Sequence, residues 1–226
     1  MLERPERAAG GTAVTSFDEG RAAELRDHFE RRHWVLLRGL IGPRFLAELH
    51  DELERAPFAP RADSMAGELT LYEHVPLVAR MLFLVNDPAV HRAVEAATGI
   101  ERIARFDGRI NRRAATPDHY HVWHDDVDGE RRLVAMSLNL STEPYEGGVL
   151  QLRRKGAAEP PDDVPAPSPG DALLFRVRSD LEHCVTAVSA GTRTSLVGWF
   201  GSEPPWPLPA GLSSARGSTP GQESSG

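Results

Sequence analysis

Cysteine is nearly absent from this chain. Cys184 is the only one in 226 residues. A lone thiol excludes an internal disulfide framework and any zinc or iron–sulfur site built on several cysteines. It is compatible with a reducing compartment, and the cytoplasm is the expected location. Lysine is just as scarce: Lys155 stands alone and every other cation is arginine. Long apolar runs are missing, and those present have strand or helix length, too short to span a bilayer. The opening MLERPERAAGGTAV lacks the apolar centre of a signal peptide. A net charge of −7 argues against nucleic acid or an anionic membrane as the main partner. Also missing are a G-x-S-x-G elbow, a G-x-x-x-x-G-K-[ST] phosphate loop and an H-E-x-x-H helix. No motif sets an oligomeric state.

Hydrophobic residues make up 40% of the chain and charged residues 26%, enough apolar material for one domain with a buried core. Residues 1–14 are polar and Gly/Ala-rich, a flexible lead-in. Ser16 with Glu19 forms a capping-box signal, and Ala22, Leu25 and Phe29 continue at helical spacing, so a helix is expected over 17–31. His33 to Leu40 reads as a strand. Gly42-Pro43 opens a second helix with Leu46, Leu49 and Leu53 on one face. Residues 57–70 read as irregular. Asp87-Pro88 starts a further helix that Gly99 ends.

Beyond residue 100 the texture is that of strands, expected at 101–113, 119–126, 131–141, 147–154, 171–178, 182–188 and 192–200. Between Lys155 and Gly170 stand Pro160, Pro161, Pro165, Pro167 and Pro169, the mark of a loop. From 201 to 226 Pro, Gly and Ser dominate, as in a disordered tail. The outline is a single domain over 15–200, with helical support in 15–100 and β structure in 101–200.

The chemically informative stretch is HYHVWHDDVD, His119 to Asp128. On a regular strand side chains alternate between faces, which puts His124 and Asp126 on one face and His119, His121 and Trp123 on the other. An imidazole and a carboxylate side by side are two-thirds of a facial site for a divalent metal. His183, in the strand-like LEHCV, is the best third ligand. Two histidines and one carboxylate leave positions open, which suits non-haem Fe(II) and oxygen. Arg193 and Ser195 share a face on the strand after the Ala190-Gly191 turn. There a guanidinium could take a carboxylate bidentately and a hydroxyl could assist. A calcium loop fails, because His124 stands where an acid is needed and Ala135 where the closing Glu would be. Cys184 adjoins His183, and neighbours on a strand face opposite ways, so the two cannot form a nucleophile–base pair.

His124-x-Asp126, His183 and Arg193-x-Ser195 resemble the Fe(II)/2-oxoglutarate-dependent oxygenases, in particular their prolyl 4-hydroxylase-like branch. The run HCVTAVSAGTRTSLVGWF is similar to the ending of that branch, and the likeness covers about residues 100–200. The resemblance implies an α+β, mainly β fold, with a double-stranded β-helix (jelly-roll) core and supporting N-terminal helices. It implies Fe(II) held by His124, Asp126 and His183, with 2-oxoglutarate and O2 as cosubstrates. Arg193 would hold the distal carboxylate of 2-oxoglutarate, with Ser195 assisting. Tyr120 stands in for the tyrosines that many relatives carry, and Asn139 would reach the other end of the cosubstrate. The implied reaction hydroxylates a C–H bond and releases succinate and CO2. Halogenation is disfavoured, because related halogenases lack the carboxylate that Asp126 supplies. The implied substrate is an amino acid, a proline-like peptidyl residue or a small metabolite, and Arg109, Arg112 and Arg113 are candidates to hold its carboxylate. Two other readings are a cupin-like dioxygenase that uses no 2-oxoglutarate and a non-catalytic jelly-roll binding domain.

Overall fold

Helix α1 (Ala22–Arg32) follows a short 3-10 turn at Glu19–Arg21, and His33 ends it in the left-handed conformation. The structure is a computed structural model describing residues 19–55, 57–63, 67–72, 75–116, 122–128 and 131–202. The expected cap Ser16, the lead-in and residues 203–226 of the expected tail lie outside these residues. The helix starts later than its spacing suggests, and the preceding Arg21 makes no side-chain cap. Strand β1 (Trp34–Leu37) comes next, inside the expected 33–40. Helix α2 (Pro43–Arg55) begins at Pro43 and buries Leu46, Leu49 and Leu53. A proline costs nothing at a first helical position, where its missing N–H has no acceptor.

Residues 57–70 are not irregular. They form β2 (Phe58–Asp63) and most of β3 (Gly67–Tyr72), an antiparallel hairpin on the edge of a sheet. Pro60 and the charged residues hide β2 from a pattern reading, and an edge position tolerates both. Helix α3 (Val75–Val85) was also missed. Its nearly continuous apolar run obscures the helical spacing of its buried Leu77, Met81, Leu84 and Val85. Helix α4 (Pro88–Thr98) has the expected ends: the Asp87 carboxylate accepts from Ala89 N at 2.7 Å, and Gly99 closes at φ 69°.

The β-rich half supplies β4 (Arg105–Ala114), β5 (Arg132–Asn139), β6 (Glu146–Gly147), β7 (Leu150–Arg154), β8 (Asp162–Asp163), β9 (Ala172–Arg176), β10 (Leu181–Val185), β11 (Val188–Ala190) and β12 (Thr192–Gly201). The proline-rich insert is a loop, as expected, except for the two residues of β8 paired with β7. The large sheet runs β1-β9-β5-β12-β4-β3-β2, and β10-β7-β8 and β11-β6 form two smaller ones. This is the jelly-roll with a helical layer. One face of the large sheet, with Ile110, Val134, Met136, Leu138, Leu174, Leu196 and Phe200, packs in one core with helical residues such as Phe29, Leu49, Met81 and Val94. On the opposite face Ala135, Leu173 and Phe175 meet Leu150, Leu152 and Val164, and Trp199 joins them. The site lies on this second, inner face.

Gly108 on β4 and Gly198 on β12 are register partners. A Cβ on Gly198 would lie 2.1 Å from the Asp107 carbonyl oxygen and 2.7 Å from the Phe106 ring. Backbone cannot yield as a flexible side chain can. Gly198→Ala is therefore expected to cost about 1–3 kcal/mol by overpacking. A lowered urea midpoint at unchanged slope would show it, and an unchanged midpoint would refute it.

Candidate metal centre

The region around the first histidine is not the regular strand expected at 119–126. Residues 117–121 lie outside the described residues, so His119, Tyr120 and His121 are not placed. Residues 122–128 carry only an isolated antiparallel bridge, His124 with His183. His124 N donates to His183 O at 3.1 Å and His183 N donates to His124 O at 2.8 Å. Direct cross-strand partners share a face, and the two imidazole centroids are 4.1 Å apart. Asp126 then turns back with φ 60°. Asp is among the few residues with a side chain that tolerate this left-handed conformation. The expected face-sharing of His124 and Asp126 is met, but through this turn, not through strand alternation.

The carboxylate sits between the rings. His124 Nε2 is 3.4 Å from Asp126 Oδ1, and His183 Nε2 is 3.3 Å from Oδ2. One ligand atom from each residue lies within 4.8 Å of the others. Trp199 Nε1 donates to Asp126 Oδ2 at 2.9 Å, and the Arg132 guanidinium stacks 3.7 Å over the Trp199 ring. The Arg132 Nη1 donates to the Asp126 carbonyl at 3.3 Å. His124 Nδ1 stands 2.8 Å from Val122 O, so Nδ1 donates and Nε2 keeps its lone pair. His183 is buried against Phe175, with ring centroids 4.6 Å apart.

Burial pushes the His183 pKa down, which favours the neutral, ligating imidazole. For Asp126 burial acts the other way, but hydrogen bonds from His124, His183 and Trp199 hold the carboxyl well below the usual carboxylate range. Burial lowers His124, but the hydrogen bonds to Asp126 and the Val122 carbonyl, with the charges of Asp126 and Asp125, together outweigh it and raise the pKa. An ionised carboxylate beside imidazole nitrogens is a donor set for a divalent first-row metal.

Arg193 is 6% exposed. Its Nη2 donates to Ser137 Oγ at 2.8 Å, and among the described residues no carboxylate pairs with it. Gly148, at φ 62°, makes room for it: a Cβ there would fall 2.8 Å from Arg193 Cδ. Ser195 Oγ is buried with no partner among the described residues, and so is Asn111 Oδ1. Ser195 and Asn111 are register partners. Buried polar atoms without partners are uncommon and point to a missing ligand or water.

Two expected site residues are engaged elsewhere. The Asn139 amide is committed to the chain itself. Its Nδ2 donates to Pro167 O at 2.7 Å, and its Oδ1 accepts from Ser141 N at 2.9 Å. It ties down the proline-rich loop and does not reach for a cosubstrate. Arg112 belongs to the helical face. Its Nε donates to Thr194 Oγ1 at 3.1 Å, and its guanidinium lies 3.8 Å over Phe58. The flanking Arg113 shares the inner face with Arg193, its direct register partner, and is buried. Arg109, partner of Val197, is exposed. Cys184 turns away from the cluster to Gln151 Oε1 at 3.5 Å, and burial pushes its thiol pKa up, so it is no nucleophile.

Residues 109–201 match the family model described as the 2OG-Fe(II) oxygenase superfamily. These residues belong to that superfamily. The match supports a 2-oxoglutarate-dependent dioxygenase, an enzyme of Fe(II), 2-oxoglutarate and O2. No curated protein sequence matches the chain. Solved structures show the same fold. A 2OG-Fe(II) oxygenase family oxidoreductase from Burkholderia pseudomallei aligns with TM-score 0.63 at 20% identity, covering 86% of this chain and 97% of that one. A prolyl-4-hydroxylase from Pseudomonas putida aligns with TM-score 0.56 at 20% identity, covering 80% and 99%. A prolyl hydroxylase from Trichoplax adhaerens, solved with a hypoxia inducible factor peptide fragment, gives 0.59 at 12%, covering 81% and 90%. No helix among the described residues of this oxygenase is long and apolar enough to cross a membrane.

Trp199 is the support that spacing alone did not assign to Asp126. Removing such a hydrogen bond to a ligand usually costs about 10–100-fold in metal affinity. Trp199→Phe keeps the ring under Arg132 and deletes the donor. Calorimetric titration with Mn(II) should show a loss of that size, and wild-type affinity would refute the assignment.

Proposed function

We propose that His124, Asp126 and His183 hold the iron, and that Arg193 with Ser195 holds the distal carboxylate of 2-oxoglutarate. The observation that carries this reading is Arg193: a buried cation, without a carboxylate among the described residues, on the sheet face that also bears Trp199 and so the Asp126 carboxylate. A buried charge needs a counter-charge. A dicarboxylate that also reaches the metal supplies one. Asn139 and Arg112 are left out of this scheme, since both are engaged elsewhere.

When bound, iron with 2-oxoglutarate and O2 supplies the oxidant for C–H hydroxylation, and succinate and CO2 leave. The protein's own work is placement. The Val122 carbonyl and Trp199 orient two of the ligands. Phe175 and the apolar layer between the sheets keep water from His183. Ser137 aims the Arg193 guanidinium. The domain spans 15–200 and works in the cytoplasm.

The substrate is a small molecule or peptide, and an amino acid or a proline-like residue fits the open side best. Val122 and Val127, flanking the ligand pair, are exposed apolar side chains. Arg109 is exposed on β4 and is a register partner of Val197, part-way along β12 from Arg193 towards Trp199. Of the three arginines expected at the substrate, Arg109 is the exposed one.

The test adds Fe(II) and then 2-oxoglutarate to the metal-free protein without oxygen. A visible charge-transfer band that needs both, and is absent in His183→Ala, supports the scheme. Arg193→Ala should weaken 2-oxoglutarate by about 30-fold or more, given about 2–5 kcal/mol for truncating one member of a buried charged pair. Iron binding without a band would instead favour an enzyme that uses no 2-oxoglutarate. Absence of metal binding would favour a binding domain. With the band in hand, amino acids and peptides can be screened for succinate release.

A further inference from the structure

We infer that Arg153, on β7, and Lys155, just beyond its end, are positioning residues for the metal ligands, which they hold through the residues beside them in sequence. The inference rests on the metal site proposed above and deepens it. Arg153 stands opposite Glu182 in the β7–β10 register. Its Nε and Nη2 donate to Glu182 Oε2 at 3.1 and 2.9 Å. The same guanidinium lies 3.9 Å over the Trp123 ring. Lys155 Nζ is 3.5 Å from Asp125 Oδ2 and 4.0 Å from Glu182 Oε1. The Lys155 backbone is itself fixed, since its N–H donates to Asp180 O at 2.9 Å.

Every residue held in this way adjoins a ligand. Trp123 and Asp125 flank His124, Asp125 precedes Asp126, and Glu182 precedes His183. One chain of contacts, Trp123–Arg153–Glu182–Lys155–Asp125, therefore starts and ends on the two neighbours of His124 and passes the neighbour of His183. Asp125 carries the hold into the reversed turn: its Oδ1 accepts from Val127 N at 3.1 Å, spanning Asp126, where φ is 60°. The backbone shows why such a clasp is needed. Among the described residues, 122–128 pair with a strand only through the His124–His183 bridge. Side-chain contacts do there what a hydrogen-bond ladder does elsewhere. An exposed ion pair alone contributes little. Here the Glu182 side chain is only 15% exposed, and one guanidinium makes both its ion pair and a cation–π contact.

Charge alone would not put these residues here. Cations this close to a metal site repel the metal, so removing one would tighten metal binding if charge were all that mattered. Positioning predicts the opposite sign. The experiment titrates Mn(II) by calorimetry into the metal-free full chain, wild type, Arg153→Met and Lys155→Met, with urea midpoints measured on the same metal-free proteins. Affinity should fall about 10-fold in Arg153→Met, the lower end of the range for lost support around a metal ligand. The fall should be smaller in Lys155→Met, whose contacts are longer and more exposed. Lys155→Arg, which keeps a cation within reach of both carboxylates, should restore wild-type affinity. Lys155 is more than half exposed, so Lys155→Met with its Arg rescue carries the test if Arg153→Met does not fold. Unchanged or tighter Mn(II) binding in the Met variants would overturn the inference. A lowered urea midpoint with wild-type affinity would make the network a structural strut and overturn it too. A folded wild-type protein that binds no Mn(II) would overturn the metal-site reading itself, whereas wild-type binding with unaltered variants overturns the clasp alone.

Discussion

Two backbone hydrogen bonds, between His124 and His183, decide the geometry of the centre. They join a stretch that otherwise lacks regular structure to the end of a small sheet. They also put two imidazoles on the same side, 4.1 Å apart. Everything else about the cluster follows from that clamp. Asp126 can place its carboxylate between the rings only because its backbone reverses just after the bridge, at φ 60°. Strain of that kind persists where surrounding contacts over-determine it. Here those contacts are Trp199 on the carboxylate and Arg132 on both the Trp199 ring and the Asp126 carbonyl. The acidic turn is thereby held in one conformation.

The second constraint is the charge buried at the other end of β12. A buried guanidinium that rests, among the described residues, on a serine hydroxyl and no carboxylate is a poor arrangement for stability alone. The chain nevertheless makes room for it with a glycine at φ 62° against its side chain. Local conformation and burial thus fit the anion proposed for this site. The same β12 carries Arg193 near its start and Trp199 near its end, so one strand fixes the separation between the Arg193 guanidinium and the Asp126 carboxylate.

Much of this was legible in the sequence, because the chemistry needs particular side chains at particular spacings. His124, Asp126, His183 and Arg193 could be named before any fold was known. The helix from Pro43 and the Asp87–Gly99 helix were readable from local capping physics, which depends on a few neighbouring residues. What failed was what depends on tertiary context. Residues 57–70 pair as an edge hairpin, where neighbouring strands compensate for weak β pattern. Residues 75–85 are apolar apart from Arg80, so periodicity could not reveal a helix. Asn139 carries the right chemistry at a plausible place, yet its amide is consumed by the Pro167 carbonyl and the Ser141 N–H. A sequence cannot show which polar groups are already satisfied. Arg112 and Arg113 are adjacent, and alternation alone separates them; only the register with β12 says which of them faces inward.

That last distinction shows how one sheet serves two purposes. On the outer face Arg112 stacks on Phe58 and bonds to Thr194, joining the edge hairpin and β12 to β4. One residue further on, Arg113 lies on the inner face beside Arg193. A period of two lets consecutive, chemically identical side chains act as a structural strut and as part of the buried inner face. A one-residue slip between β4 and β12 would exchange those roles. The pair Gly108 and Gly198 opposes such a slip, because only glycine fits there: a Cβ on either would lie within 2.7 Å of backbone or of the Phe106 ring. The packing that fixes register in the middle of the sheet thus also fixes which charges lie on the inner face.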